Sequence, residues 1–259
     1  MRIAVLGATG VAGRAFVPRA NAAGHSLVLR RAEIFDQSAL VALFEGCHAV
    51  VNLATSIPKP GGRGDWAVND RIRREGTANL LTACLEAGVR IVVQQSVAML
   101  HCASDERAQI EDDPTEGYGV LASAFDMEGL VRAAPLDGRL VRGGLFYGPG
   151  TGREELWREE VRSDSFRIPG DGSAWVSPVH VEDFANALVA VLERGGPREA
   201  YIACDDSSLR MRDLYARVTE CVGGDQPAAR GVQRIRSFRV SNAKLRTLGW
   251  NPSYPAIRL

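Results

Sequence analysis

The sequence predicts an α/β fold in which helices cover both faces of a doubly wound parallel sheet. Short apolar segments alternate with amphipathic helical segments from the first residues to about residue 142, and no internal repeat interrupts them. Because crossovers between parallel strands are right-handed, this order of segments gives a doubly wound sheet. With 259 residues, of which 46% are hydrophobic, the chain can form one large domain with at most a small appendage.

Strands are predicted from short apolar runs and helices from the spacing of apolar residues. The predicted strands are 2–6, 26–30, 49–54, 90–95 and 139–142, and the predicted helices are 11–23, 37–45, 70–87, 119–133, 154–162 and 181–193. The run 49–54 is continuously apolar, which is typical of a strand buried on both faces. Pro18 lies inside the first predicted helix, where we expect it to kink the helix or shift its start.

A glycine-rich turn, GATGVAG at residues 7–13, follows the first strand and opens the first helix. Small residues there let the backbone approach a pyrophosphate, whose charge is met by N–H groups and the helix dipole. The strand–turn–helix context favours a Rossmann-like dinucleotide-binding site over a simple tight turn. The residues expected to bind the cofactor are Gly7, Thr9, Gly10, Val11 and Gly13.

Arg30 and Arg31 stand at the end of the second strand, where the cofactor is selected. An acid at this position bonds the ribose 2′-hydroxyl of NAD, whereas a base favours the 2′-phosphate of NADP. The two arginines, with Arg14 just after the glycine turn, predict NADP. NAD is the alternative, because Glu33 offers an acid nearby and the arginines could simply be solvated at the sheet edge.

Almost no chain separates the second strand from the acidic turn at residues 33–36. A parallel neighbouring strand needs a crossover of about a dozen residues. One edge strand and its crossover helix are therefore predicted to be missing. Since that edge normally holds the adenosine half of the cofactor, we expect weakened affinity or an altered mode of binding.

The predicted alternation loosens after residue 147 into a charged helix and a Gly/Pro-rich turn. We expect residues 1–146 to form the dinucleotide-binding domain, with residues 176–204 returning to it. Residues 147–175 and 205–259 are expected to form a small C-terminal substrate-binding lobe. No low-complexity linker separates the two parts.

Composition excludes several classes of partner. Lys plus Arg and Asp plus Glu both number 31, and no basic tract could follow a phosphate backbone, so nucleic acid is not expected. No apolar run reaches the length of about 20 residues that a membrane span needs, and the first residues lack a signal-peptide core. The five cysteines show no paired spacing, so we expect no metal site and a cytoplasmic protein with reduced thiols.

Several further motifs stand in a definite order along the chain. They include Asn52-Leu53-Ala54 after the third strand, GTANLL at residues 76–81, RGGLFYGPGTG at 142–152 and PVHVED at 178–183. With the glycine turn, they resemble the extended short-chain dehydrogenase/reductases, the NAD-dependent epimerase/dehydratase group, over nearly the whole chain. The resemblance implies that Leu53 and Ala54 flank the cofactor and that homodimers form on the helices at 70–87 and 119–133.

The resemblance also implies a Tyr-x-x-x-Lys pair, in which the lysine lowers the tyrosine pKa and the tyrosine exchanges a proton while hydride moves. Tyr118 stands at the tyrosine position, but Ala122 occupies the lysine position. No lysine lies between Lys59 and Lys244, so a shifted alignment cannot restore the pair.

The serine that assists this pair is altered as well. Ser96 aligns with the first of two serine positions, and the catalytic position falls on Val97. Tyr118 and Ser96 are therefore the predicted catalytic residues, with His101 or Cys102 as alternative proton donors. Each of these also has a plain structural reading, as a strand end or a loop residue.

Three functions fit these observations. The first is an NAD(P)-dependent oxidoreductase acting on a small carbonyl or alcohol through a degenerate site. The second is a non-redox isomerase, lyase or cyclase in the same pocket, and the third is a cofactor-binding sensor without turnover. In each case the expected partner is a small molecule, with Tyr147 lining its pocket, His180 locking the lobes together and Arg63 or Trp66 available in a loop over it.

Overall fold

The computed structural model describes residues 1–58, 65–102, 106–225, 229–232 and 236–257. Its strands are β1 (Arg2–Leu6), β2 (Ser26–Val28), β3 (Ala49–Asn52), β4 (Ile91–Val97), β5 (Asp137–Gly143), β6 (Leu145–Tyr147), β7 (Ile168–Pro169), β8 (Trp175–Val176), β9 (Pro178–His180), β10 (Ala200–Ala203), β11 (Leu209–Arg210) and β12 (Ala229–Gly231). Its α-helices are α1 (Val11–Ala22), α2 (Gln37–Phe44), α3 (Trp66–Arg71), α4 (Thr77–Glu86), α5 (Ala122–Ala133), α6 (Arg153–Arg162), α7 (Val181–Arg194), α8 (Met211–Val222) and α9 (Ala243–Arg246).

Six strands form the main sheet in the order β2-β1-β3-β4-β5-β10, and every pairing in it is parallel. The carboxyl ends of these strands therefore lie along one edge. The predicted doubly wound parallel α/β fold is confirmed. The order steps outward from β1 in both directions, so a crevice for a ligand is expected where the direction changes.

Helices cover both faces of this sheet. On one face α1 packs against α7, and Phe16, Phe184 and Val191 are fully buried between them and the strands. On the other face α2, α4 and α5 cover a second apolar cluster that contains Leu40 and Leu80. Burial of both faces explains why the central strands are almost continuously apolar.

The β2 edge is truncated as predicted. β2 pairs with β1 through Ser26, Leu27 and Val28, and within the described residues no strand pairs with its outer side. The chain runs directly from residue 29 into the turn before α2, whose first turn is capped by the Asp36 carboxylate through the Ala39 N–H. The strand is also shorter than the predicted 26–30, since residues 29–31 pair with no strand in the described part of the chain.

The helix predicted at 70–87 is confirmed over most of its length, but it starts earlier and contains an irregular turn. The helix begins at Trp66, where Asp65 accepts the Ala67 N–H, and a π-helical turn over Ile72–Gly76 separates α3 from α4. The buried guanidinium of Arg73 in this turn donates to the Val120 carbonyl and the Ser123 hydroxyl. Apolar spacing alone does not reveal such a turn, because it depends on contacts with another helix.

Other predicted bounds shift by a few residues. The strand predicted at 49–54 ends at Asn52, because the Asn52 side chain accepts the Ala54 N–H and turns the chain out of the sheet. The strand predicted at 90–95 runs on through Val97, where it pairs with Gly143 of β5. The helix α1 continues through Pro18 without ending there.

The C-terminal part of the chain surrounds a third apolar cluster, which lies beyond β5. Trp157 of α6, Leu214 of α8 and Phe238 are almost fully buried in it. Small strand pairs, β7 with β12 and β8 with β11, close this region. After α7 the chain returns to the main sheet as β10. None of the helices in the described ranges has the length and apolarity to cross a membrane.

Candidate active site

The glycine turn brings the backbone at the end of β1 into direct contact with the segment after β3. Gly7 has a φ of +76°, and a Cβ on it would lie 2.5 Å from the Leu53 carbonyl carbon and 2.7 Å from the Ala54 nitrogen. Both the left-handed backbone and this close contact exclude a side chain. The predicted cofactor residues Gly7, Leu53 and Ala54 are thus adjacent in space.

The start of α1 has the geometry of an anion-binding helix terminus. A Cβ on Gly13 would lie 2.2 Å from the Gly7 oxygen, so the helix can approach the turn only with glycine there. Gly10 caps α1 without a side-chain hydrogen bond, and the first turn holds no acidic residue. Thr9 and Gly10 are exposed, so the N–H groups at this terminus can meet a phosphate.

A cation lies beside this turn. Arg14 donates from Nη1 to the Thr9 carbonyl at 2.6 Å, and its Nη2 lies close to Gly150 in the turn after β6. Its charge and the open helix terminus both fit the pyrophosphate of a dinucleotide.

Arg30 and Arg31, which follow β2, are both exposed, so the charges near the ribose would favour one cofactor over the other. Arg30 donates weakly to the Ala42 carbonyl at 3.3 Å, and the Arg31 side chain is exposed. Glu33 is exposed as well. A 2′-phosphate would gain from the two guanidinium groups, whereas a 2′-hydroxyl could bond Glu33.

Tyr118 lies half-buried just before α5. Its hydroxyl accepts the backbone N–H of Arg236 at 3.1 Å, and the Arg236 guanidinium lies 4.4 Å from the centre of its ring. Burial raises the pKa of Tyr118, and the Arg236 N–H and charge only partly oppose this. The phenol is therefore held protonated rather than primed to ionise.

The positions that would support Tyr118 are apolar. Val97, at the end of β4, is 8% exposed and packs in a small cluster with Leu121 and the Tyr118 ring. Ala122 begins α5. Lys244 lies elsewhere, paired with Glu199 and over the Tyr201 ring. The described residues thus bring no lysine to Tyr118.

Ser96 faces the interior. It is 2% exposed, and its hydroxyl donates to Glu128 of α5 at 2.6 Å. Glu128 in turn accepts two hydrogen bonds from the buried Arg142 of β5, at 2.9 and 2.6 Å. The catalytic role predicted for Ser96 stays a prediction, and the geometry shows its hydroxyl engaged with a buried ion pair.

The two alternative proton donors differ in their surroundings. His101 is fully buried, with Nε2 2.9 Å from Arg142 and Nδ1 unpartnered within the described part of the chain. Burial, aided by the Arg142 charge, lowers the pKa of His101 to about 4, so the ring is neutral at pH 7. Cys102 is half-buried, with its Sγ 3.9 Å from Arg236.

Comparison with known proteins decides the family. A family model described as "NAD dependent epimerase/dehydratase family" matches residues 3–204. The chain belongs to this family. The glycine turn and the six parallel strands are thus features of a member of this family.

Relatives of this epimerase/dehydratase chain include reductases. A "3-diazoavenalumate denitrifying reductase" from Streptomyces sp is 29% identical, with 100% of this chain and 98% of that protein covered. A dTDP-4-dehydrorhamnose reductase from Mycolicibacterium smegmatis is 27% identical over 88% of this chain and 72% of that protein. The fold matches a dTDP-glucose 4,6-dehydratase from Streptomyces venezuelae, solved with NAD bound, at a TM-score of 0.83 and 23% identity, covering 98% of this chain and 92% of that one.

A cleft of about 620 Å³ opens at the turn after β6 of this family member. Tyr147 lines it and donates its hydroxyl to the buried Asp205 at 2.9 Å. Burial raises the pKa of Asp205 to about 7. His180 also lines the cleft, caps α7 through the Glu182 N–H and stacks on Tyr254 at 3.6 Å. Tyr147 of β6 is thus held by a residue just after β10, and His180 of β9 by Tyr254 near the C-terminus.

The loop predicted to cover the pocket lies only partly within the described residues. Arg63 lies outside the described residues, and Trp66 begins α3. Within the described ranges no group of three or more His, Cys, Asp or Glu side chains could hold a metal ion.

Sequence reasoning missed three residues around the site: Arg142, Glu128 and Arg236. Two carried a usable signal, because an arginine inside the apolar strand 139–142 and a glutamate on the buried side of a helix must be paired. Arg236 carried no such signal, since it lies 118 residues from Tyr118 in a segment without clear periodicity.

Proposed function

We propose that this protein is an NADPH-dependent reductase whose acceptor takes up hydride without needing a proton from a Tyr-Lys pair. The observation that carries the proposal is the contrast within one site. The glycine turn has the backbone geometry that a dinucleotide needs. Val97 and Ala122, in contrast, supply neither the hydroxyl nor the cation that a Tyr-Lys proton relay would use.

The residues proposed to hold the cofactor are those predicted from the sequence. Gly7, Gly10 and Gly13 shape the turn, Leu53 and Ala54 support it, and the N–H groups of Thr9 to Val11 meet the pyrophosphate. Arg30 and Arg31 favour the 2′-phosphate, and hence NADPH over NADH. When bound, NADPH supplies the hydride.

A diazo group is an acceptor that suits this site, and the reductase from Streptomyces is named for such a substrate. An arenediazonium carbon gains hydride, which provides both electrons of the new C–H bond. The C–N bond breaks and its electron pair leaves with N2, so charge balances and no proton is transferred. The half-buried Met99, which packs over Val97 and Leu121, would contact the ring, and the protonated Tyr118 would orient it.

The test uses NADPH deuterated at the transferring position of C4, with 3-diazoavenalumate as acceptor. We expect deuterium on the product carbon and release of N2, and we expect Tyr118→Phe to retain this activity within about threefold. Absence of deuterium transfer in spite of NADPH binding would contradict the proposal. Absence of NADPH binding would instead favour non-redox chemistry in the same pocket.

Reduction of a small carbonyl, or oxidation of the alcohol, is a second candidate. It is favoured by the Tyr118 hydroxyl, which accepts the Arg236 N–H and so keeps its own proton free to donate. With Tyr118 as the donor, Tyr118→Phe would slow turnover of an aldehyde by about 100-fold or more. The same variant therefore separates the two acceptors.

Cofactor preference is tested by titration with NADPH and NADH. Each guanidinium near a 2′-phosphate contributes a charge-assisted interaction, so Arg31→Ala is expected to weaken NADPH binding by about tenfold and to leave NADH unchanged. Equal losses for both cofactors would place Arg31 outside the 2′-phosphate site.

We further propose a cytoplasmic homodimer. Val68 of α3 and Val120 and Phe125 beside or within α5 are exposed apolar residues on neighbouring elements. A second copy would cover such a face. Light scattering after size exclusion should give a dimer for the wild type and a monomer for Phe125→Glu.

A further inference from the structure

The exposed guanidinium of Arg236 lies directly beside the proposed site of reduction. It covers the Tyr118 ring at 4.4 Å, and its own backbone N–H fixes the Tyr118 hydroxyl at 3.1 Å. The side chain is 50% exposed. A cation is thus held at a defined place against the ring while one side of it remains open to solvent.

A carboxylate from a ligand can replace the present partner of Arg236. Glu116 accepts from Arg236 Nη1 at 2.8 Å, and the Glu116 side chain is 60% exposed. An ion pair this exposed contributes little to stability, because water solvates both groups almost as well. Another carboxylate can therefore replace Glu116 at little cost, and a guanidinium binds it with two parallel hydrogen bonds.

The surface next to this cation is apolar. Met99 and the Tyr118 ring are half-buried, and they pack over Val97 and Leu121, which are each only 8% exposed. A substrate can reach only the two half-buried side chains. A flat aromatic ring would gain from contact with these side chains. The combination therefore offers an apolar surface for a ring and a cation at its border.

We propose that Arg236 determines substrate specificity by binding the carboxylate of an aromatic acid whose ring lies against Met99 and Tyr118. This inference rests on the proposed function and names the substrate class that the same site accepts. Arg236 acts in binding, and the hydride acceptor is a different part of the substrate. Its loss should therefore raise KM and leave kcat largely unchanged.

Binding is measured by calorimetry with NADP⁺ present, using 4-hydroxycinnamate and its methyl ester as unreactive probes. The wild type should bind the acid about 10- to 100-fold more tightly than the ester, the range expected for a charge-assisted pair. Arg236→Ala should lose this preference by weakening binding of the acid alone. Arg236→Lys should retain part of it, since a lysine keeps the charge but not the paired hydrogen bonds.

Two further variants make the measurement specific. Arg194→Ala is the matched control, because Arg194 is also 50% exposed and also pairs with a glutamate, but on α7; it should bind both probes as the wild type does. Glu116→Gln removes the competing carboxylate and should strengthen binding of the acid by up to about fivefold.

Equal binding of acid and ester by the wild type would overturn the inference, as would an equal loss of both in Arg236→Ala. This outcome is independent of turnover. If deuterium is transferred to 3-diazoavenalumate but the acid binds no more tightly than the ester, the proposed function is supported and the role of Arg236 is contradicted. If the acid preference is present but deuterium transfer fails, the proposed reduction falls and the carboxylate site stands.

Discussion

The glycine turn after β1 and the region around Tyr118, which follows β4, lie along the same edge of one sheet. The two regions are specified in different ways. The turn depends on backbone geometry, where a Cβ on Gly7 or Gly13 would collide with main-chain atoms. The Tyr118 region depends on side chains, and Val97, Ala122 and the inward Ser96 stand where the predicted proton relay would need a hydroxyl and a cation. The proposed cofactor site and the proposed chemistry can therefore vary independently, because main-chain atoms specify the first and side chains the second.

The largest effect is expected from a substitution within the glycine turn. Gly13→Val places carbon atoms where the Gly7 carbonyl oxygen lies, so we expect no measurable NADPH binding and a free energy of unfolding lowered by about 2–4 kcal/mol. Calorimetric titration and urea unfolding measure the two effects. Gly129→Ala in α5 is the control, since nothing lies within 4 Å of its Cβ position, and it should raise stability by up to about 1 kcal/mol. Retained NADPH binding in Gly13→Val would mean that the turn is not the pyrophosphate site.

The buried ion pair behind Ser96 should matter more for stability than for cofactor binding. Arg142→Met leaves the buried Glu128 carboxylate with only the more distant and half-exposed Arg132, 3.7 Å away, as a cation, which is expected to lower the free energy of unfolding by about 3–5 kcal/mol. The double variant Glu128→Leu/Arg142→Met removes both charges and should recover most of that loss. Urea unfolding of the three proteins tests this, and an unrecovered loss in the double variant would show that the pair has a further role.

His101 makes stability depend on pH in a predictable direction. Its pKa falls from the ordinary 6.5 to about 4 on folding, so the unfolded chain binds the proton more tightly. The contribution is complete above pH 6.5 and is lost as the pH falls toward 4, by about 3 kcal/mol in total. His101→Gln should flatten this part of the stability curve. Identical pH curves for His101→Gln and the wild type would contradict the assignment.

Ser96→Ala is expected to have the smallest effect and sharpens the comparison most. If Ser96 serves the buried pair, removing its hydroxyl costs about 1 kcal/mol of stability and changes the turnover rate with the diazo acceptor by less than about twofold. Turnover that slows by about 100-fold or more at unchanged stability would establish the catalytic role predicted from the sequence.

Much of the fold could be predicted because its signals are local. The apolar run 49–54, the turn at residues 7–13 and the short segment before α2 each report their structure within a few residues. The π-helical turn at Ile72–Gly76 escaped prediction because Arg73 is held there by Val120 and Ser123, which are distant in the chain. Strand and helix ends shifted for a related reason, since pairing with a neighbour decides where a strand stops.

The candidate site was predicted as a set of residue types but not as an arrangement. The sequence predicted Tyr118 as a catalytic residue and placed Val97 and Ala122 where the resembled family has a serine and a lysine. It could not show that Ser96 donates to Glu128 in the core, or that Arg236 covers Tyr118.

The sequence by itself determined the parallel sheet, the glycine turn, the missing edge strand and the lack of a lysine between Lys59 and Lys244, because each follows from local pattern or from counting residues. Only the tertiary structure decided which side chains meet. The direction of the Ser96 hydroxyl, the burial of His101 and the cation beside Tyr118 all depend on segments that are distant in the chain and become neighbours only when the core packs.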